Sequence, residues 1–93
     1  MIVGVMTWEL SLPGCSSLKE KRMVVRSLKD RLGNRFNVSV AETARQDEWR
    51  RAEITVALVA GDRAHADSTL DRIDAFVEAD GRALITDVLR ELL

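Results

Sequence analysis

One cysteine, one proline and one histidine stand among 93 residues, and tyrosine is absent. The single cysteine, Cys15, has no partner for an internal disulfide, so any fold must rest on its core. The single histidine, His65, excludes metal sites and catalytic arrangements that need two imidazoles. Pro13 and five glycines are too few for a flexible linker or a low-complexity segment. The aromatics are Trp8, Phe36, Trp49 and Phe76 only, which leaves little for nucleobases to stack on. No apolar run approaches the ~18–20 residues of a membrane span. The opening MIVGVMTWEL has no basic segment and carries Glu9, unlike a secretory signal. With the unpaired cysteine, these absences point to the cytoplasm. No glycine-rich nucleotide loop occurs, and no cofactor is expected.

What is present is a hydrophobic fraction of 46% and a charged fraction of 31%, the balance of a soluble globular chain. Residues 1–93 are long enough for one domain with a modest core. The net charge is −1, but it is unevenly placed. Residues 1–51 hold ten Lys/Arg and six Asp/Glu, whereas residues 52–93 hold four and nine. A nearly neutral protein can still present one strongly charged face.

Hydrophobic periodicity predicts six elements. MIVGVMTWELSL alternates with period two: Ile2, Met6, Trp8, Leu10 and Leu12 on one face, with Gly4 leaving room for a helix. Ser17 and Glu20 form an S-x-x-E capping box, with a helix from Leu18 to Leu32 stopped by Gly33-Asn34. Its apolar side is Leu18, Val24, Val25, Leu28 and Leu32. RFNVSVAET is a second strand, RQDEWRR a turn or strand extension, and AEITVALVAG a third strand. Asp62 caps a second helix over about 63–80, with Ala66, Leu70, Ile73 and Val77 buried and Gly81 as its stop. RALITDV is a short fourth strand, and LRELL reads as an extra turn or frayed end. The order β-α-β-β-α-β with right-handed crossovers predicts an α+β, ferredoxin-like sandwich: a four-stranded antiparallel sheet with both helices on one face.

Three segments carry a likeness to known proteins. SLKEKR at 17–22, RFNVSVAE at 35–42 and Trp49 closely resemble the YlxP-like family of small bacterial proteins, over nearly the whole chain. That resemblance implies a ferredoxin-like fold and a domain of unknown function. Members are often encoded near transcription and translation factors, which implies a role around RNA or the ribosome. It supplies no catalytic residues.

Read from the residues themselves, Lys19, Arg22, Arg26 and Lys29 lie within about 80° on a helical wheel, a basic stripe beside the apolar face. Such a stripe suits phosphate contacts; the plainer alternative is a solvated face. Arg31 and Arg35 add charge near the helix end. Lys21 falls on the apolar side and Glu42 is in phase with Phe36, Val38 and Val40. Opposite charges on facing buried surfaces predict an ion pair, or Lys21 bonded to strand-end carbonyls, with snorkelling to the rim as the alternative.

The open sheet face offers Val3, Val5, Thr7, Asn37, Ser39, Ala41, Thr55, Ala57 and Val59, with no aromatic for base stacking. This semi-apolar face suits self-association, so a homodimer is expected. Trp8 and Trp49 read as packing residues, His65 as solvated, and Cys15 as an inert loop thiol. Glu42, Asp47 and Glu48 cluster without metal-ligand spacing. An acylphosphatase-type enzyme of this fold would need an Arg in the loop after strand one; LPGCSS has none, although Asn37 is available. The sequence therefore predicts a non-enzymatic domain, RNA- or ribosome-associated, with a homodimeric small-molecule-binding or interaction module as the alternative.

Overall fold

The computed structural model describes all 93 residues, Met1–Leu93. The elements run β1 (Ile2–Ser11), α1 (Leu18–Arg35), β2 (Ser39–Ala44), β3 (Arg51–Ala60), α2 (Arg63–Glu78) and β4 (Leu84–Leu92). The strands form one antiparallel sheet in the order β2-β3-β1-β4. Both helices cover the same face, α1 against β2 and α2 against β1, β3 and β4. This is a ferredoxin-like α+β fold.

Alternation along the central strands decides which face is covered. Met6, Trp8 and Leu10 of β1 lie opposite Val56, Ile54 and Ala52 of β3, and all six are buried. Helix α2 closes over them with Ala66, Leu70, Ile73 and Val77, each fully buried. At Gly4 a Cβ would sit 3.2 Å from side-chain carbons of both Leu58 and Leu70. The missing side chain is what lets α2 come so close to β1. Trp8 is fully buried and donates its indole N–H to Asp74 on α2 at 2.8 Å, so its one polar atom is satisfied.

Three boundaries differ from the sequence expectation, while the expected turn before β3 is present. Helix α1 does not stop at Gly33-Asn34 but continues to Arg35. Phe36 turns the backbone extended (φ −124°, ψ 147°) while its N–H still bonds the Leu32 carbonyl. Burial of Phe36 fixes this exit, and neither Gly33 nor any other glycine takes a positive φ. Strand β2 therefore begins at Ser39, later than expected. Residues 45–50 form the turn into β3, and Arg45 itself is left-handed (φ 63°). Strand β4 extends through Leu92 instead of ending at Val88. The LREL segment pairs with the first half of β1, and Leu93 and Val3 exchange backbone hydrogen bonds of 2.8 and 2.9 Å. A bulge opposite Glu9 and Leu10 interrupts the alternation of β4 and obscures its strand pattern in the sequence.

Candidate nucleic-acid interface on the first helix

The start of α1 is built by Ser17, whose side chain accepts the Glu20 N–H at 3.1 Å. The return arm of the expected capping box reaches one residue further. Glu20 accepts from the Ser16 backbone N–H and from the Ser16 hydroxyl, both at 2.9 Å, rather than from Ser17. The Ser16 backbone bond, then its hydroxyl, hold the Glu20 carboxyl below the usual carboxylate range.

From this start, α1 presents two different sets of cations. Lys21 is directed at the sheet and is fully buried. Its ammonium donates to the Arg45 carbonyl at 2.6 Å and lies 2.6 Å from Glu42 Oε2. The bond to the carbonyl is the aligned one; Glu42 Oε2 is buried and makes no hydrogen bond. The carboxylate therefore meets the ammonium as a charge. Lys21 thus ties α1 to the end of β2 and to the left-handed residue of the next turn. The side chain of Arg45 then reaches Glu9 at 2.6 Å and Glu48 at 3.0 Å. The expected acidic cluster is divided among these contacts: Glu42 faces Lys21, and Glu48 faces Arg45 and Arg51.

The second set is the stripe. Lys19, Arg22 and Arg26 are exposed and Lys29 is half-buried. Six of the chain's cations have a carboxylate within 4.0 Å: Lys21, Arg31, Arg45, Arg51, Arg82 and Arg90. None of the four stripe residues is among them. The opposite flank of α1 faces the end of α2, where Arg31 bonds Asp80 and Ser27 accepts from Arg82. The stripe consequently looks outward, away from α2. Lys19 to Lys29 covers about 15 Å of helix at ~1.5 Å per residue.

The open sheet face is divided. Hydroxyls of Thr7, Thr55 and Thr43 contact one another in a row at 2.9 and 2.8 Å. Beyond them lie Glu9, Glu53, Arg45 and Arg51. On the other side are Val3 and Val5, with Val59, Leu89 and Leu93 exposed by 71, 59 and 68%. Leu89 and Leu93 lie outside the face expected from the sequence, because the RALITDV strand stops at Val88 and β4 does not. The alternation Asp87, Leu89, Glu91, Leu93 was the available signal.

Other candidate residues are dispersed. Cys15 is buried in the loop before α1, and its carbonyl accepts from Arg50 at 3.1 Å. Trp49 is half exposed in the β2–β3 turn. Asn37 lies beside Val3 and Val59, while the loop after β1 lies beside Arg50, at the other end of the sheet. The two acylphosphatase-like positions therefore share no site. No helix is long and apolar enough to cross a membrane.

Fold and surface together define a small ferredoxin-like domain with one outward-facing basic helix. Residues 3–90 match the family model DUF503, described as a protein of unknown function, and the chain belongs to that family. It is also similar to the "Uncharacterized protein YlxP" of Bacillus subtilis (strain 168), 35% identical over 78 residues. The match covers 84% of this chain and 85% of that protein. SLKEKR and RFNVSVAE contain both partners of the α1–β2 junction, Lys21 and Glu42.

Proposed function

We propose that this chain is a non-enzymatic, cytoplasmic RNA-binding domain, acting on free RNA or on the ribosome through Lys19, Arg22, Arg26 and Lys29. The observation that carries the reading is that all four cations share one outward flank of α1 without a carboxylate within 4.0 Å. Their charge is thus available to a polyanion. The sheet face has no aromatic, so the contacts are to phosphate and tolerant of base sequence. Four contacts on single-stranded RNA give a log–log salt slope of about −3, at ~0.7 per phosphate. Arg22→Glu with Arg26→Glu is expected to abolish binding across RNA sequences. Binding by the double reversal equal to that of the parent protein, or no salt-sensitive RNA or ribosome binding by the parent, would end this reading.

A second reading rests on the apolar half of the open sheet face, where Val59, Leu89 and Leu93 stand exposed. A second copy packed there makes a homodimer, an interaction or small-molecule module that needs no RNA. Ala57→Arg, placed between Val5 and Ser39 in the pairing, should then give a folded monomer. Sedimentation of the parent protein as a monomer at high micromolar concentration rejects it.

A further inference from the structure

Where the C-terminus of α1 meets α2, Phe36 and Phe76 pack edge to face, with centroids 5.8 Å apart and planes at 84°. Three guanidinium groups gather on these two rings. Arg35 lies 6.0 Å from the Phe36 centroid and 5.5 Å from that of Phe76. Arg72 lies 5.8 Å from Phe36, and Arg31 lies 5.5 Å from Phe76. Arg31 bonds Asp80. Arg35 and Arg72 have neither a carboxylate within 4.0 Å nor a side-chain hydrogen bond within the protein.

We propose that Arg35 and Arg72, with Asn37, His65 and Thr69, form a binding site for a phosphate group. These five side chains line one pocket of about 190 Å³, whose wall is completed by Phe36, Leu58 and Val59. No carboxylate lines it. The rings hold the two guanidinium groups while leaving the in-plane N–H donors free. Both guanidinium groups line this pocket without a carboxylate partner, so an anion bound there meets two uncompensated positive charges. A planar carboxylate is matched by a single guanidinium fork. Two forks together with an amide and a hydroxyl match the several oxygens of a phosphate. The ligand class is a phosphate ester, either of a free nucleotide or of an RNA strand. This site is distinct from the α1 stripe: Arg35 and Arg72 sit on the α2 side of α1, and the stripe faces away from it.

The test is NMR of the backbone amides and arginine Nε–H groups of the whole chain at fixed ionic strength. The probes are inorganic phosphate, adenosine 5′-monophosphate, and a short RNA with and without a 5′-phosphate. Saturable shifts at Arg35, Arg72 and Thr69 with phosphate or the nucleotide, and none at Arg22 and Arg26, are expected. Arg72→Gln should weaken binding by roughly tenfold or more, the loss expected for a charge-assisted hydrogen bond. Arg72→Lys, which keeps the charge but lacks the fork, should lose much of the affinity with the amide spectrum retained. Arg22→Glu with Arg26→Glu should leave this binding intact, which separates the site from the stripe. A terminal-phosphate site responds to the nucleotide and to the 5′-phosphorylated RNA; a backbone site responds to both RNAs alike. Linear, non-saturating shifts, or equal shifts at Arg22 and Arg26, would overturn the proposal.

Discussion

The two helices occupy equivalent places in the two βαβ halves, yet they treat charge in opposite ways. Helix α1 carries seven Lys or Arg against two acids, and α2 carries two Arg against four acids. The acids of α2 are mostly tied to the protein's own groups. Asp71 and Asp67 reach Arg90 on β4 at 2.8 and 3.5 Å, and Asp74 accepts from Trp8. Of the α1 cations, Lys21 and Arg31 are tied internally, whereas the stripe is left free. The two helices bury the same kind of apolar face but differ in where their charges go: the acids of α2 are mostly satisfied within the fold, and four cations of α1 are not.

The largest expected effect separates Lys21 from the other α1 cations. Glu42→Gln leaves a fully buried ammonium without its counter-charge and should cost about 3 kcal/mol. Lys21→Met removes the charge, fills similar volume and should cost no more than about 1–2 kcal/mol. Urea unfolding measures both; a larger loss for Lys21→Met would show that the contact to the Arg45 carbonyl outweighs the charge pair.

Next is the link between the helices. Asp80, just past α2, accepts from Arg31 of α1 and from Arg82 before β4. Hydrogen bonds from Arg82, then from Arg31, hold its carboxyl far below the usual carboxylate range, against the opposing effect of burial. Because the folded value is depressed, Asp80 contributes stability above its unfolded value of about 3.9, and that contribution is lost as pH falls toward the folded value. Asp80→Asn should cost about 2 kcal/mol at neutral pH, with the gap to the parent protein narrowing below about pH 4. A gap that is constant from neutral to acid pH would contradict the assignment.

The smallest effects test the surface contrast directly. Arg22→Glu with Arg26→Glu should change stability by no more than about 0.5 kcal/mol, because neither side chain has a partner in the fold. Asp67→Lys with Asp71→Lys should cost about 0.5–1 kcal/mol, because Arg90 loses both its carboxylates. Equal costs from thermal unfolding of the two variants would erase the distinction between the helices.

The faces of the central strands were legible because their alternation is local: each buried residue of β1 and β3 repeats every second position. The buried side of α2 was legible for the same reason, with Ala66, Leu70, Ile73 and Val77 at helical spacing. The ends were harder to read. Gly33 looks like a helix stop, but burial of Phe36 three residues later sets the exit. LRELL looks helical, but β1 has an unpaired edge there and takes it as a strand.

The sequence by itself determined the element types up to Val88, their inward faces and the excess of cations on α1, because these depend on residue spacing within a segment. Only the tertiary structure decided which cations remain without a carboxylate. Sequence neighbours did not decide it: Arg45 found Glu9 across 36 positions and Arg31 found Asp80 across 49. It also brought Arg35 and Arg72 onto one aromatic ring. Pairing of charges is set by distance and dielectric in the folded chain, and residues far apart in sequence acquire both only when the sheet and helices close around one core.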